Sequence, residues 1–243
     1  KMNIRIHAVD GGGLRNAIPR ESFADIVIDA EKATAFTDLV KELDEVDGIE
    51  RYRISSIEPN LLSNDIIEFV SNSKKFMPHF HIPLQSGSDK ILGLMRRRYK
   101  KDLYTERIGL IKTMMPHCCI GVDVIVGFPG ETDADFQETF NFLHQLDISY
   151  LHVFTYSERT NTLAADMKPV VPVGLRNDRN KLLRNLSYQK MQYFTNAHIG
   201  QTRKVLFETK NKNGMMEGYT DNYIKITTPF NEVWENNIIE WKI

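Results

Sequence analysis

Cys119-Ile120-Gly121-Val122-Asp123-Val124-Ile125-Val126-Gly127, followed by Phe128-Pro129-Gly130-Glu131-Thr132, is the stretch that decides the fold class. Its first nine residues form a near-continuous apolar run, which reads as a buried strand, and Pro129-Gly130 ends it. Asp133–Leu146 then reads as a helix, with Phe136, Phe140 and Leu143 at i, i+4 and i+7. Tyr150–Tyr156 is β-like again. A strand, a crossover helix and a second strand make a parallel pair. The same unit extends upstream. Arg51–Ile57 and His79–Leu84 are β-like, Ser63–Ser71 reads as a helix capped by Ser63, and Asp89–Met95 and Asp102–Met115 are helical. Strand centres recur about every thirty residues, the length of a βα unit, and a barrel or part-barrel is the natural closure.

The first fifty residues fit less well. Asn3–Val9 alternates and reads as a strand, with Gly11-Gly12-Gly13 as a loop. Pro19–Ala33 reads as an amphipathic helix, with Phe23, Ile26, Val27 and Ala30 on one face. A second helix follows directly, carried by Phe36, Leu39, Val40, Leu43 and Val46, so the βα rhythm breaks between Ala33 and Thr34. Beyond Tyr156 the pattern changes. Leu175–Ile199 is a long polar helix with Leu182, Leu183, Leu186, Met191 and Phe194 as its apolar positions. Short strands follow at Arg203–Glu208, Met215–Tyr219, Tyr223–Thr227 and Asn237–Ile243, separated by turn residues. The organisation expected is an α/β partial barrel over residues 1–197 and a small all-β module over 198–243.

Composition narrows the class. The chain has 243 residues, 42% hydrophobic and 26% charged, enough to bury a core. No apolar run reaches the ~18 residues of a membrane span, no signal-peptide pattern opens the chain, and the cytoplasm is the expected compartment. Its two cysteines, Cys118 and Cys119, are adjacent, which excludes a disulfide scaffold and gives no usual metal spacing. Net charge is −1, but residues 176–212 carry nine Lys/Arg against Asp178 and Glu208. That belt suits phosphate, or equally a solvated helix and hairpin face.

In parallel βα architectures ligands bind beyond the carboxyl ends of the strands. Here those ends read Ser55-Ser56-Ile57-Glu58-Pro59-Asn60, Gln85-Ser86-Gly87-Ser88, Phe128-Pro129-Gly130-Glu131-Thr132 and Ser157-Glu158-Arg159. Each has a plainer reading: Ser88 or Asp89 as a helix cap, Gly130-Glu131-Thr132 as a turn and cap, Asp123 as a satisfied core carboxylate. Four polar ends on one rim argue together for a site. Arg96-Arg97-Arg98 suits a bidentate anion or a solvated helix end. His79 and His81 share a strand face and read as packing rather than as metal ligands. No lysine or metal triad of an ordinary barrel enzyme such as an aldolase is found on the rim.

These motifs resemble the methylthiotransferase branch of the radical S-adenosylmethionine enzymes. The likeness is carried by Arg53–Asn60, His81–Ser88, Met95–Tyr99 and Gly121–Thr132, in the family's order and spacing over roughly residues 50–200. The tail from about His198 resembles the TRAM module, a small RNA-binding β-barrel. His152–Arg159 looks most like the subgroup acting on threonylcarbamoyladenosine beside the tRNA anticodon. Relatives that modify isopentenyl-adenosine or a ribosomal-protein aspartate are less similar there. The resemblance implies a partial barrel of radical type holding S-adenosylmethionine and a [4Fe-4S] cluster, with an electron donor such as flavodoxin or ferredoxin. It implies cleavage of the sulfonium to a 5′-deoxyadenosyl radical and insertion of a methylthio group at carbon 2 of the adenine. By motif match, Ser56, Glu58, Gln85, Ser86 and Arg98 would meet the polar ends of S-adenosylmethionine. Val126, Gly127, Phe154 and Tyr156 would line its adenine, and Asp123 would stand behind them. Arg203, Lys204 and Tyr223 would meet tRNA.

One departure stands out. The family holds its cluster with three cysteines spaced C-x3-C-x2-C after the first strand. Gly11-Gly12-Gly13 occupies that place, and Cys118 and Cys119 point to opposite faces of a later strand. The expectation is that residues are missing from this sequence near 11–14 and 33–34, the cluster loop among them, and that the family's N-terminal domain is absent too. The competing expectation is a degenerate barrel that grips RNA without catalysis.

Overall fold

The computed structural model describes residues 5–11, 22–27, 33–210 and 213–243. Two strands, β1 (Arg5–Gly11) and β2 (Ser22–Val27), pair antiparallel as a two-stranded sheet, with Gly11 opposite Ser22 and Arg5 opposite Val27. This corrects the helix expected over Pro19–Ala33. A short apolar run such as Phe23, Ile26 and Val27 satisfies either period, and the β-branched and aromatic content together with a partner strand decides for β. The loop expected at Gly11–Gly13 lies outside the described residues past Gly11. Ala33 and Thr34, where the rhythm breaks, open helix α1 (Ala33–Asp44).

Strands β3 (Tyr52–Ile54), β4 (Phe76–His81), β5 (Cys119–Val126) and β6 (Tyr150–Thr155) form one sheet in the order β3-β4-β5-β6. Sequence order equals spatial order, so each strand is laid beside the last, as in a barrel wound one way. The connecting helices are α2 (Asn64–Asn72), α3 (Asp89–Leu94), α4 (Lys101–Met114) and α5 (Asp133–Gln145). Their starts follow from local chemistry. The Ser63 hydroxyl accepts from the Ile66 N–H at 3.3 Å and starts α2, which buries Ile66, Ile67 and Val70. Thr132 and Asp135 form a reciprocal capping box that starts α5.

After α6 (Leu163–Asp166), the 24-residue α7 (Val173–Asn196) lies along β6, the edge strand of the sheet. The Ser187 hydroxyl accepts from the Leu151 N–H at 2.8 Å and donates to the Leu151 carbonyl at 3.0 Å. The Asn180 amide donates to the Val153 carbonyl at 3.0 Å. Side chains thus satisfy an edge that would otherwise recruit another strand. Leu183, Leu186 and Phe194 are buried as expected, whereas Leu182 is 51% exposed.

The tail forms β7 (Thr202–Lys210), β8 (Met215–Thr220), β9 (Lys225–Pro229) and β10 (Ile238–Lys242), an antiparallel sheet in the order β10-β7-β8-β9. Val205, Phe207 and Met216 form its core under Trp234 and Trp241, with Phe207 and Trp241 ring centroids 5.2 Å apart. At Gly218 an added Cβ would lie 2.6 Å from the Leu206 carbonyl oxygen, so the close approach of the backbones requires glycine.

The chain divides into two compact units. Ser55–Leu62 and Phe80–Ala197 make one; Lys1–Ile54, Ser63–His79 and His198–Ile243 make the other. No helix among the described residues is long and apolar enough to cross a membrane.

Candidate active site

The site is built by strand alternation in the first of these units. β5 and β6 run parallel with Gly121 beside Tyr150, Asp123 beside His152 and Ile125 beside Phe154. Those residues share one face. Val122, Val124 and Val126 share the other and are fully buried. The first face is polar. His81, at the end of β4, places Nε2 2.8 Å from Asp123 Oδ1. The His81 and His152 rings stand 5.3 Å apart, and the His152 and Tyr150 rings 5.2 Å apart. Burial, then the neighbouring His81, lowers the His152 pKa, against an opposing pull from Asp123. His152 is therefore a neutral imidazole at pH 7.

The residues named from sequence fall at several places around the ends of these strands. Glu58 Oε1 accepts from Arg97 Nη1 at 2.8 Å, while Arg98 is exposed. The shift by one arises at Arg96, whose φ of 57° is left-handed: the chain reverses after α3, and the Arg97 N–H returns to the Leu92 carbonyl at 2.9 Å. Asn60 Oδ1 and Arg97 Nε are buried with no hydrogen-bond partner among the described residues. Ser56 is exposed. Gln85 has φ 71°, and its backbone is stitched to β5: its N–H donates to the Asp123 carbonyl at 2.8 Å, and its carbonyl accepts from Ile125 at 2.9 Å.

Ser86 does not open onto the rim. It is fully buried, its hydroxyl 3.3 Å from that of Thr139 and accepting from the Ser88 N–H at 3.2 Å. Val126 turns its side chain to the helix-covered face. Phe154 is 52% exposed on the same face as Asp123. Gly127 and Tyr156 meet at Arg176, which is 3% exposed. The Arg176 guanidinium donates to the Val171 carbonyl at 2.7 Å, the Tyr156 carbonyl at 2.8 Å and Glu158 at 2.6 Å, and lies 5.3 Å from the Tyr156 ring. The Tyr156 hydroxyl is buried with no hydrogen-bond partner among the described residues.

Sequence reading missed His81 and His152 as a pair, and Arg97 and Arg176. Strand parity signals the first two, since His81, Asp123 and His152 all fall on one face. Nothing local signals which member of Arg96–Arg98 faces Glu58.

Asp135 ties the start of α5 to α3. It takes Lys90 Nζ at 2.7 Å, the Thr132 N–H at 2.8 Å and the Thr132 hydroxyl at 2.6 Å. Burial alone would raise its carboxyl, but Lys90 and Thr132 outweigh burial and hold the pKa at about 2. The unfolded value is about 3.8. The stabilisation is therefore complete above pH 4 and is lost as pH falls from about 4 toward 2. Asp135→Asn is expected to cost about 1 kcal/mol at pH 7, discounted for solvent near the Lys90 end. The cost should vanish near pH 2. Urea titrations of both proteins at pH 7 and pH 2.5 measure this, and an equal loss at both pH values would refute it.

In the other unit, the residues expected at RNA are partly committed. Arg203 Nη1 bridges both Asp221 oxygens at 3.0 and 3.1 Å. Tyr223 is stacked between Tyr219 at 4.8 Å and His79 at 4.3 Å, with the Arg53 guanidinium 4.7 Å from its ring centre. Lys204 is exposed, and its carbonyl accepts from buried Arg51 at 2.9 Å.

A parallel sheet wound in sequence order with a polar rim at its carboxyl ends agrees with the comparisons. The model of the radical SAM superfamily matches residues 22–143, and the chain belongs to that superfamily. Two named relatives refine the likeness. The chain is 38% identical over 213 residues to a Bacillus subtilis protein called threonylcarbamoyladenosine tRNA methylthiotransferase MtaB, covering 86% of this chain and 47% of the relative. It is 34% identical over 203 residues to tRNA-2-methylthio-N(6)-dimethylallyladenosine synthase of Desulfitobacterium hafniense, covering 83% of this chain and 45% of the relative. The chain thus spans about half the length of the curated relatives it matches. Coproporphyrinogen III oxidase of Escherichia coli, a radical SAM enzyme, shares the fold: TM-score 0.50 at 15% identity, over 67% of this chain and 38% of that one.

S-adenosylmethionine fits the residues present. Glu58 and the Arg97 and Arg98 guanidiniums would bring both signs of charge, and Gln85 a neutral amide, to its amino-acid end. Phe154 and Tyr156 would be the aromatic residues available to its adenine. A [4Fe-4S] cluster does not fit. Cys118 and Cys119 are both fully buried, and burial, the largest cause, holds the Cys118 thiol far above the thiolate range.

Proposed function

We propose that this chain is the S-adenosylmethionine-binding part of a tRNA methylthiotransferase that modifies carbon 2 of N6-threonylcarbamoyladenosine. The observation that carries the reading is the 38% identity to the Bacillus subtilis relative across 86% of this chain. The polar rim of Glu58, Gln85, Arg97, Asp123 and Phe154 supports it. This chain's residues bind and orient: both signs of charge at the Glu58–Arg97 rim, an aromatic wall at Phe154 and Tyr156, and a neutral imidazole at His152. The cluster is not supplied by the cysteines of this sequence, so no radical step is assigned to them. The tail is proposed to be a TRAM-like RNA-binding module, and tRNA the partner. The 34% identity to the dimethylallyladenosine enzyme supports a second reading, with isopentenyl-adenosine as the substrate.

Mass spectrometry of tRNA nucleosides from a strain lacking the gene tests the reading. The methylthio derivative of threonylcarbamoyladenosine is expected to disappear. If it persists undiminished, the assignment is wrong; loss of the isopentenyl derivative instead favours the second reading. Iron and sulfide reconstitution of the full gene product separates an enzyme from a non-catalytic RNA-binding relative. Failure to take up a cluster, with RNA affinity intact, would sink the enzyme.

A further inference from the structure

Part of the belt of cations counted from the sequence is consumed inside the fold. Arg176 and Arg179 are buried and paired with Glu158, Glu131 and Asp133. Lys190 donates to the His144 and Leu146 carbonyls. Of the cations on α7, Lys181 and Arg184 alone have no acceptor among the described residues. They line an open pocket of about 570 Å³ with Thr155, Asn177, Asn180 and Asn185. Positions 177, 180, 181, 184 and 185 fall at i, i+3, i+4, i+7 and i+8, one stripe of the helix. One exposed acid, Asp178, flanks the stripe three residues before Lys181.

The asparagines are the second observation. Asparagine is a poor helix former, costing roughly half a kcal/mol each against alanine. Asn180 returns that cost by satisfying the Val153 carbonyl. Asn177 and Asn185 are exposed and make no contact among the described residues that would return theirs. Amide donors interleaved with Lys and Arg are the side chains that grip phosphate oxygens. The stripe is about 12 Å long at 1.5 Å per residue, longer than one phosphate needs. A second pocket of about 400 Å³ contains Arg203 and Lys204, but Asp221 and Glu240 offset their charge.

We propose that the α7 stripe is a phosphodiester site that holds a run of RNA backbone, with Lys181 and Arg184 as the charged contacts and Asn177 and Asn185 as amide donors. The RNA source rests on the tRNA reading above; the phosphate chemistry does not. The test is fluorescence anisotropy of the full chain with a labelled anticodon stem–loop RNA across a KCl series. Lys181→Ala/Arg184→Ala is expected to weaken binding at least tenfold near 0.1 M salt. It should also flatten the slope of log affinity against log salt by about 1.5. Lys74→Ala, at an exposed lysine that lines neither pocket, should change either by much less. Asn177→Ala/Asn185→Ala should weaken binding while raising the thermal midpoint, which a structural role would not do. Unchanged affinity and slope in the Lys181/Arg184 variant, with the parent chain binding RNA, overturns the proposal. If the parent binds no RNA, the tRNA reading fails. Side-chain amide NMR with inorganic phosphate and AMP then decides: shifts at Asn177 and Asn185 that vanish in the variant keep a phosphate site, and their absence removes it.

Discussion

Arg179→Met is expected to lower the thermal midpoint by roughly 10 °C. Arg179 is 2% exposed and Glu131 5% exposed, and Arg179 Nη1 donates to Glu131 Oε2 at 2.6 Å. The same carboxylate oxygen accepts from the Gly127 N–H at 2.7 Å, so the pair fixes the loop at the end of β5. Removing one partner of a buried pair leaves the other charge without compensation, at about 3–5 kcal/mol. For a domain of this size each kcal/mol moves the midpoint by about 2–4 °C. The Arg179 bond to Asp133 adds little, because that carboxylate is 87% exposed.

The pH dependence gives the sign. Burial already raises the Glu131 carboxyl, against the pull of Gly127 and Arg179. Without Arg179 it rises further, so the penalty of holding it ionised grows above its unfolded pKa and fades as pH falls toward it. Arg179→Met should therefore be more damaging at pH 8 than at pH 5. Adding Glu131→Gln, which keeps an acceptor for Gly127, should recover part of the loss at pH 8. Calorimetry of the four proteins at both pH values checks this. The Arg179 guanidinium also lies 5.3 Å from the centre of the Phe136 ring, and a pH-independent loss, or a double variant no better than the single, would show that this packing matters more than the charge.

The parallel sheet was legible because its signals are redundant. Apolar runs, the Ser63 and Thr132 caps and the thirty-residue rhythm all point to one architecture. The antiparallel pairing of β1 and β2 was not, because Phe23, Ile26 and Val27 fit both periods and only a partner strand separates them. Within the site, the rim was legible as a set but not residue by residue. Which arginine meets Glu58 depends on a left-handed residue at Arg96, a non-glycine position that carries no sequence mark. Ser86 sits in a motif of polar residues yet faces Thr139, because the turn it supports needs a buried acceptor for the Ser88 N–H. Charge misled most at α7. Arg176 and Arg179 read as surface cations, but they are spaced i, i+3 with Leu183 and Leu186 on the buried stripe. The expectation that polar residues of a helix face water fails where buried carboxylates and carbonyls await them.

Gly127→Ala is expected to be nearly as damaging, by about 2–4 kcal/mol, for two separable reasons. Its φ of +77° is left-handed, which costs an alanine roughly 1–2 kcal/mol. A methyl group there would also overlap Arg176 Cγ and come within 2.9 Å of Cδ, adding about 1–3 kcal/mol of overpacking. The Arg176 stem cannot yield freely. Its guanidinium is tied to Val171, Tyr156 and Glu158, so displacing it also moves the aromatic wall proposed for the adenine of S-adenosylmethionine. The two costs are separated by Arg176→Ala. Shortening that side chain removes the two closest contacts and leaves only its Cβ at 3.1 Å, without relieving the backbone strain, so the double variant should lose less than the sum of the two singles, by about 1 kcal/mol. Affinity for S-adenosylmethionine, measured by calorimetric titration, should fall about tenfold or more in either single variant. Additive losses of stability would mean that the backbone conformation alone requires glycine and that Arg176 packs against it without constraint. An unchanged affinity in both would place the cofactor away from the Gly127–Tyr156 side of the rim.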